Sequence, residues 1–255
     1  MRFSFCENNQ ELGALSASPL WADVYRLSRH SSEKSLDIEK WLELYHQAIS
    51  YARYKGASHL KHRLVEERDH ALISDNLPHL NFVKKDDRIE FRHSLTDLPG
   101  DDGTPFDWKD AKSSGWTEEK IALFLHHIAQ GDPTYDPAES AIDFVRGWLS
   151  DSVLTCGLEL IWIGHMKGTP AALVVAQVNP TSGWSRISYM GLAPEYRGKS
   201  LGQWVHRKGF SALKQQGGVL YHGGTSAKNA AMLKLFERHK CPVYLKMEEW
   251  QLDLR

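Results

Sequence analysis

Hydrophobic and polar positions follow helical and strand periods in turn along this chain. Ile38, Trp41, Leu42, Tyr45, Ala48, Ile49 and Ala52 recur at i, i+3, i+4 spacing, the apolar stripe of one helix. Asp37 stands in its first turn, where an acid complements the dipole, and Gly56 follows its end. Ile121, Phe124, Leu125 and Ile128 mark a second helix over 117–130, which Thr117 can cap. Asp136, Pro137 and Glu139 have the spacing of a capping box and open a third helix, to about 149. Strands are expected at 158–164, 171–178 and 184–192, with Gly168-Thr169-Pro170 and Asn179-Pro180 supplying turns. A helix over 200–216, a short strand over 219–222, a helix over 227–239 and a last strand or hairpin over 243–252 complete the pattern.

The chain also echoes itself. Trp21 and Trp184 are 163 residues apart, as are Trp41 and Trp204. Lys34-Ser35-Leu36 returns as Lys199-Ser200-Leu201. Each copy has an amphipathic helix ending at a glycine, Gly56 or Gly217, and closes on an alternating strand, around Glu90 or Glu249. Four landmarks in one order argue for duplication. Leu98-Pro99-Gly100-Asp101-Asp102-Gly103-Thr104-Pro105 is rich in turn residues. It divides the chain into a unit over 1–97, a linker over 98–105 and a unit over 106–255.

Composition narrows the function. The 255 residues carry Lys+Arg 31 against Asp+Glu 32, so no global positive charge draws in nucleic acid. No apolar run approaches the roughly 18 residues of a membrane span, and no secretory leader is read at the start. Three scattered cysteines, Cys6, Cys156 and Cys241, suit a reducing cytoplasm, and Cys156 and Cys241 show no motif-level sign of activation. No Cys/His spacing resembles a zinc site, and no metal is expected.

The stretch richest in chemistry follows the strand ending at Leu192. It runs Ala193, Pro194, Glu195, Tyr196, Arg197, Gly198, Lys199, Ser200, Leu201, Gly202 into a helix. Amides at a helix start, with the dipole behind them, suit a pyrophosphate. Gly198 and Gly202 leave room for close approach, and Arg197 and Lys199 add charge. The spacing matches neither a Walker loop nor Gly-x-Gly-x-x-Gly.

This loop resembles the acetyl-CoA site of the GNAT superfamily of N-acetyltransferases. That family's pattern is Arg/Gln-x-x-Gly-x-Gly/Ala after the fourth strand. The chain supplies Arg197, Gly198, Lys199, Leu201 and Gly202, with Ser200 where the middle glycine is usual. Asn229 stands where the family has an asparagine before its next helix, while the usual tyrosine is Phe236 and the usual Gly-Phe is Lys240-Cys241. The resemblance implies an α/β (α+β) fold, a mixed, mostly antiparallel sheet flanked by helices. It implies acetyl-CoA as co-substrate, bound by Met190, Gly191, Leu192, Arg197, Gly198, Lys199, Ser200, Leu201, Gly202 and Asn229. The first copy resembles the back half of the same fold, with a loop that lacks glycine and His70 at the place of Asn229. The layout is similar to tandem members such as mycothiol synthase, with a degenerate amino-terminal half.

The expected activity is direct transfer of an acetyl group to an amine. Backbone amides near 190–192 would hold the thioester carbonyl where strands part. His222, Tyr221 and Tyr189 are the candidates for moving the proton. Asp132 and Tyr135, in the loop after the 117–130 helix, would favour a cationic acceptor. With Ser200 and Phe236 both off pattern, an acyl-CoA-binding sensor without turnover is the other reading. The expected partners are acetyl-CoA and an amine, with neither nucleic acid nor membrane, in a cytoplasmic monomer or homodimer.

Overall fold

The computed structural model describes residues 1–7, 10–21, 24–31, 36–66, 70–132, 140–151 and 153–255. Contacts divide the chain into two compact units, Met1–Ile89 with Leu245–Arg255, and Glu90–Tyr244. Sequence reading groups the last strand with the second unit, whereas here it joins the first from Leu245 onward.

The first unit contains β1 (Arg2–Glu7), β2 (Gln10–Trp21), β3 (Val24–Ser31), α1 (Ile38–Tyr54), β4 (His59–Val65) and α2 (His70–Asn76). It also holds the start of β5 (Val83–Ser94) and the end of β11 (Val243–Asp253). Strands β1, β2 and β3 are antiparallel neighbours, β3 and β4 are parallel, and β4 pairs antiparallel with β11 from Met247↔Val65 to Asp253↔His59. The stripe expected on α1 is its buried face: Trp41, Tyr45, Ala48, Ile49 and Ala52 pack with Leu15, Leu27, Leu60 and Leu64. Glu248 ties this unit together, accepting from Ser74 Oγ at 2.8 Å, Lys84 Nζ at 2.7 Å and Trp250 Nε1 at 2.8 Å.

The second unit contains the end of β5, β6 (Asp107–Asp110), α3 (Glu118–Ala129), α4 (Ala141–Leu149), β7 (Ile161–Met166), β8 (Thr169–Val178) and β9 (Trp184–Leu192). It continues with α5 (Gly202–Gln215), β10 (Leu220–Ser226), α6 (Ala230–Arg238) and the start of β11. Its strand order is β5-β10-β9-β8-β7-β6. Among these, β6 to β9 are antiparallel neighbours and β9 with β10 is parallel. Helices cover both faces. Gly209 of α5 lies against Ile187 of β9, and Ile128 of α3 lies over Gly191 of the same strand.

The duplication is visible in the connections. In each unit an antiparallel hairpin leads into a helix and then a parallel strand, β2-β3-α1-β4 and β8-β9-α5-β10. Both helices end at a left-handed glycine, Gly56 at φ 74° or Gly217 at φ 79°. The tryptophans do not superimpose, however. Trp21 is the last residue of β2, whereas Trp184 is the first of β9, so β9 corresponds to Val24–Ser31. The turn-rich 98–105 segment lies within the second unit and is held to α5. There Lys214 Nζ donates to Leu98 O at 2.6 Å, Arg207 to Gly100 O, and Lys208 pairs with Asp101 at 3.5 Å.

Candidate active site

The loop after β9 makes one helical turn, Pro194–Tyr196, and passes through two left-handed residues, Gly198 at φ 72° and Ser200 at φ 56°. Alternating conformations of this kind turn successive amides toward one concave side. The helix α5 then begins with Leu201 in the cap position and no side-chain cap. Helices α1, α3 and α6 close their starts with a side chain, Asp37 on Lys40 N at 3.0 Å, Thr117 on Lys120 N at 3.3 Å and Asn229 on Met232 N at 3.1 Å, whereas α4, like α5, has no side-chain cap. An uncapped start leaves the first-turn amides and the positive dipole end available to an anion. At Gly202 a Cβ would stand 3.4 Å from Leu235 Cδ1 of α6, an ordinary contact.

The two basic residues act differently from the expectation that both add charge at the phosphates. The guanidinium of Arg197 donates to Leu192 O at 3.1 Å, to Gln130 O at 2.6 Å and to Ile128 O. It thus satisfies orphan carbonyls at the end of α3 and fixes the loop to that helix. Lys199 Nζ donates to Glu195 O at 2.8 Å. Both side chains are thus held by backbone carbonyls of the loop and of α3. Serine in the left-handed region costs about 1 kcal/mol relative to glycine. Ser200→Gly is expected to raise stability by about that amount, read as the urea-unfolding free energy.

Beside this loop the sheet opens. Strands β9 and β10 pair over Leu220↔Trp184, Tyr221↔Ser185 and His222↔Arg186, and no further pairs form among the described residues. Beyond them Ile187–Leu192 and Gly223–Ser226 face a gap with backbone edges. A bulge sharpens it: Val175 pairs with Tyr189 but Ala176 with Ile187, so Ser188 is the extra residue. Buried Gln177 braces the bulge. Its oxygen accepts from Arg186 Nε at 2.9 Å and from Ser188 Oγ, and its amide donates to Trp148 O at 3.2 Å and Leu154 O at 3.4 Å. Arg186 also pairs with Asp151 at 3.3 Å.

The structure separates the three candidates for proton transfer. Tyr221 and His222 are neighbours in β10 and therefore point to opposite faces. Tyr221 faces α5 and α6, fully buried among Phe210 and Phe236, with its hydroxyl 3.0 Å from His206 Nε2. Burial holds its pKa well above 10. His222 lies on the other face beside Trp184 and Tyr244, with ring centroids 4.9 and 5.9 Å away. Burial and the nearby Arg92 charge push its pKa down to about 4. Tyr189 stacks on Trp148 at 6.0 Å, and its hydroxyl lies along β9 toward Gly191. Phe236 is fully buried and stacks on Phe91 at 3.9 Å.

Of the expected ligand-binding residues, Gly191 lies under Ile128, while Met190 and Leu192 turn toward the α5 side and pack with Val174 and Val205. Asp132 follows α3, its amide bonded to Ala129 O at 3.0 Å. Tyr135, Asp136 and Glu139 lie outside the described residues. Sequence reasoning did not single out Gln177, His206 or Arg92. Gln177 is an isolated polar residue in an apolar strand, whereas His206 in α5 and Arg92 in the charged strand β5 carry no local signal.

Residues 123–240 match the acetyltransferase (GNAT) family. The matched segment lies within the second unit. Among solved structures, a GCN5-related N-acetyltransferase from Sphaerobacter thermophilus is similar at TM-score 0.69 and 12% identity, over 97% of this chain and 78% of the other. A tandem GNAT protein from the clavulanic acid biosynthesis pathway is similar at TM-score 0.61 and 14% identity, over 100% and 82%. A GCN5-related N-acetyltransferase from Kribbella flavida is similar at TM-score 0.61 and 13% identity, over 94% and 85%. At these identities the likeness is one of fold. No curated protein matches the sequence.

Within the GNAT fold, the first unit has the same connections but a different helix start. The Asp37 carboxylate already occupies the amides of α1, through Lys40 N. His62 Nδ1 donates to Leu27 O at 3.2 Å and its Nε2 accepts from the Tyr45 hydroxyl at 2.8 Å, at the last pair between β3 and β4, Leu27↔His62. Among the described residues no His, Cys, Asp and Glu side chains gather into a metal-holding group, and no helix is long and apolar enough to cross a membrane.

Proposed function

We propose that the second unit transfers an acetyl group from acetyl-CoA to an amine by direct attack, and that the first unit is a scaffold that takes no acyl-CoA. The carrying observation is the gap between β9 and β10 beside the uncapped start of α5. The left-handed Gly198 and Ser200 and the bare first turn of α5 fit a pyrophosphate. The β9 edge beyond its last pair with β10 fits the rest of the carrier, and amides near Met190 and Gly191 would stabilise charge developing on the thioester oxygen. The acetyl group comes with acetyl-CoA, so no residue of this chain need carry it. Burial pushes the thiols of Cys156 and Cys241 up to about 12, which keeps them protonated and argues against a covalent acyl-enzyme. Tyr189, whose hydroxyl lies toward the strand end, is the residue we assign to proton handling through water.

In the first unit a carboxylate at the helix start, Asp37, would repel a phosphate. The buried Phe236, which has no proton to donate, favours the second reading, an acyl-CoA-binding protein without turnover. Measuring thiol release from acetyl-CoA with a panel of amines decides between them. Turnover is expected with at least one amine and a reduced kcat in Tyr189→Phe. Saturable acetyl-CoA binding with no release for any amine would establish the second reading.

A further inference from the structure

On the sheet face turned away from α5, next to the gap, a cation stands without a counter-ion. Arg92 in β5 is brought beside β10 and the start of β11 by two backbone bonds, Leu95 N to Val219 O at 3.0 Å and Arg92 N to Pro242 O at 3.2 Å. Its guanidinium carbon lies 3.5 Å over the Tyr244 ring. Its Nε is buried and meets no acceptor, and no carboxylate pairs with it among the described residues. The adjacent His222 presents a buried Nε2 that also has no partner. Trp184 and Tyr244 flank the His222 ring on either side. The nearby Arg186 is spoken for by Gln177 and Asp151. Two buried nitrogens left open, on side chains that both lie against the Tyr244 ring, are expensive to maintain, because each lost its water without gaining a bond. A planar anion with two oxygens satisfies both, one oxygen on Arg92 Nε–H and the other on the Nε2–H tautomer of His222.

We infer that Arg92 and His222 form a carboxylate subsite and that the acceptor is an amine that carries a carboxylate, seated between Trp184 and Tyr244. This rests on the transfer reading above for the word acceptor, although not for the anion site itself. His222 is the last residue of β10 paired with β9, so a ligand anchored there lies at the mouth of the gap. The distance between carboxylate and amine then selects which amines reach the thioester. In this arrangement Arg92 and His222 bind and orient, and neither exchanges a proton with the amine.

The test has two arms. In the first, transfer to L-lysine and L-phenylalanine is compared with transfer to cadaverine and phenethylamine, which lack the carboxylate. The wild-type protein is expected to favour at least one acid over its decarboxylated partner in kcat/KM. Arg92→Gln should reduce that preference by on the order of tenfold to a hundredfold, mainly through KM. Acetyl-CoA-dependent thermal stabilisation of the variant serves as the control for folding. In the second arm, sodium acetate is titrated into the full chain while the His222 imidazole is followed by NMR. A saturable shift in the wild type that is absent in Arg92→Gln supports the subsite, even if no amine turns over and the transfer reading fails. No acetate-dependent shift at His222, or equal kcat/KM for each acid and its partner together with turnover, overturns the inference.

Discussion

Gly202→Glu is expected to abolish the thermal stabilisation that acetyl-CoA gives the parent protein. A ligand at 100 times its dissociation constant adds about 2.7 kcal/mol to the folded state. For a chain of this size that raises the melting temperature by roughly 5–10 °C. Gly202 is the first residue of α5, where the helix start has no side-chain cap and its amides are open. A glutamate there puts a carboxylate where the phosphate would sit, and Asp37 shows at the start of α1 how readily a carboxylate closes such a site. Bulk alone is a smaller matter. A Cβ at this position meets Leu235 Cδ1 at 3.4 Å, the flexible end of a side chain, so Gly202→Ala should keep most of the shift. Differential scanning fluorimetry of the three proteins with and without acetyl-CoA checks this. An undiminished shift in the glutamate variant would remove the loop from the binding site.

Acid should unfold the protein steeply, beginning well above the range where carboxylates titrate. His62 is fully buried, and burial, with the Arg29 charge adding to it, pushes its pKa from 6.5 down to about 4 despite the bond to Leu27. His206 is likewise buried and held well below 6.5, by burial and by His239. Both are neutral in the folded chain and protonate freely once it unfolds. The unfolded state therefore binds more protons throughout the interval from about 6.5 to about 4. Stability is fully present above that interval and falls as pH drops through it. Each histidine contributes a slope of about 1.4 kcal/mol per pH unit, and His62 alone removes about 3 kcal/mol by pH 4. Urea-unfolding free energies measured from pH 7.5 to 4.5 should fall with a slope of at least roughly 3 kcal/mol per unit below pH 6.5, to which the partly buried His222 and His239, also lowered to about 4, add. His62→Gln, which keeps a donor and an acceptor, should lower the slope by about 1.4 kcal/mol per unit. A pH-independent free energy in the wild type would show that these histidines are not buried neutral.

Much of the second unit is legible in the chain because its signals are local. The stripe Ile121, Phe124, Leu125 and Ile128 needs only the helical period, and α3 runs from Glu118 to Ala129. Asn229 does cap α6, and the loop from Arg197 to Gly202 does lead into a helix. The details that sequence misplaces are those where a neighbour decides. The helix expected from residue 200 begins at Gly202 because Ser200 is left-handed. Leu158–Leu160 forms a single helical turn, and β7 begins only at Ile161. The sequence does not show that Arg197 also donates to the carbonyls of Ile128 and Gln130 at the end of α3. In the first unit β1 and β2 gave little notice, since Gly13, Ala14, Ser16, Ala17 and Ser18 are small and barely alternate.

By itself the sequence determined the helices α1 and α3 to α6, though not the short α2, where the glycine-bearing loop meets a helix start, and that two halves share one plan. A side-chain period belongs to its own segment, so it survives without knowledge of any partner. The tertiary structure alone decided which strands pair and which faces meet. It set the last strand, from Leu245, beside β4 of the first unit. It turned Tyr221 inward while His222 faces outward, and it placed Arg92 beside His222 across 130 residues of chain. Pairing and burial depend on residues distant along the chain, and no local pattern records them.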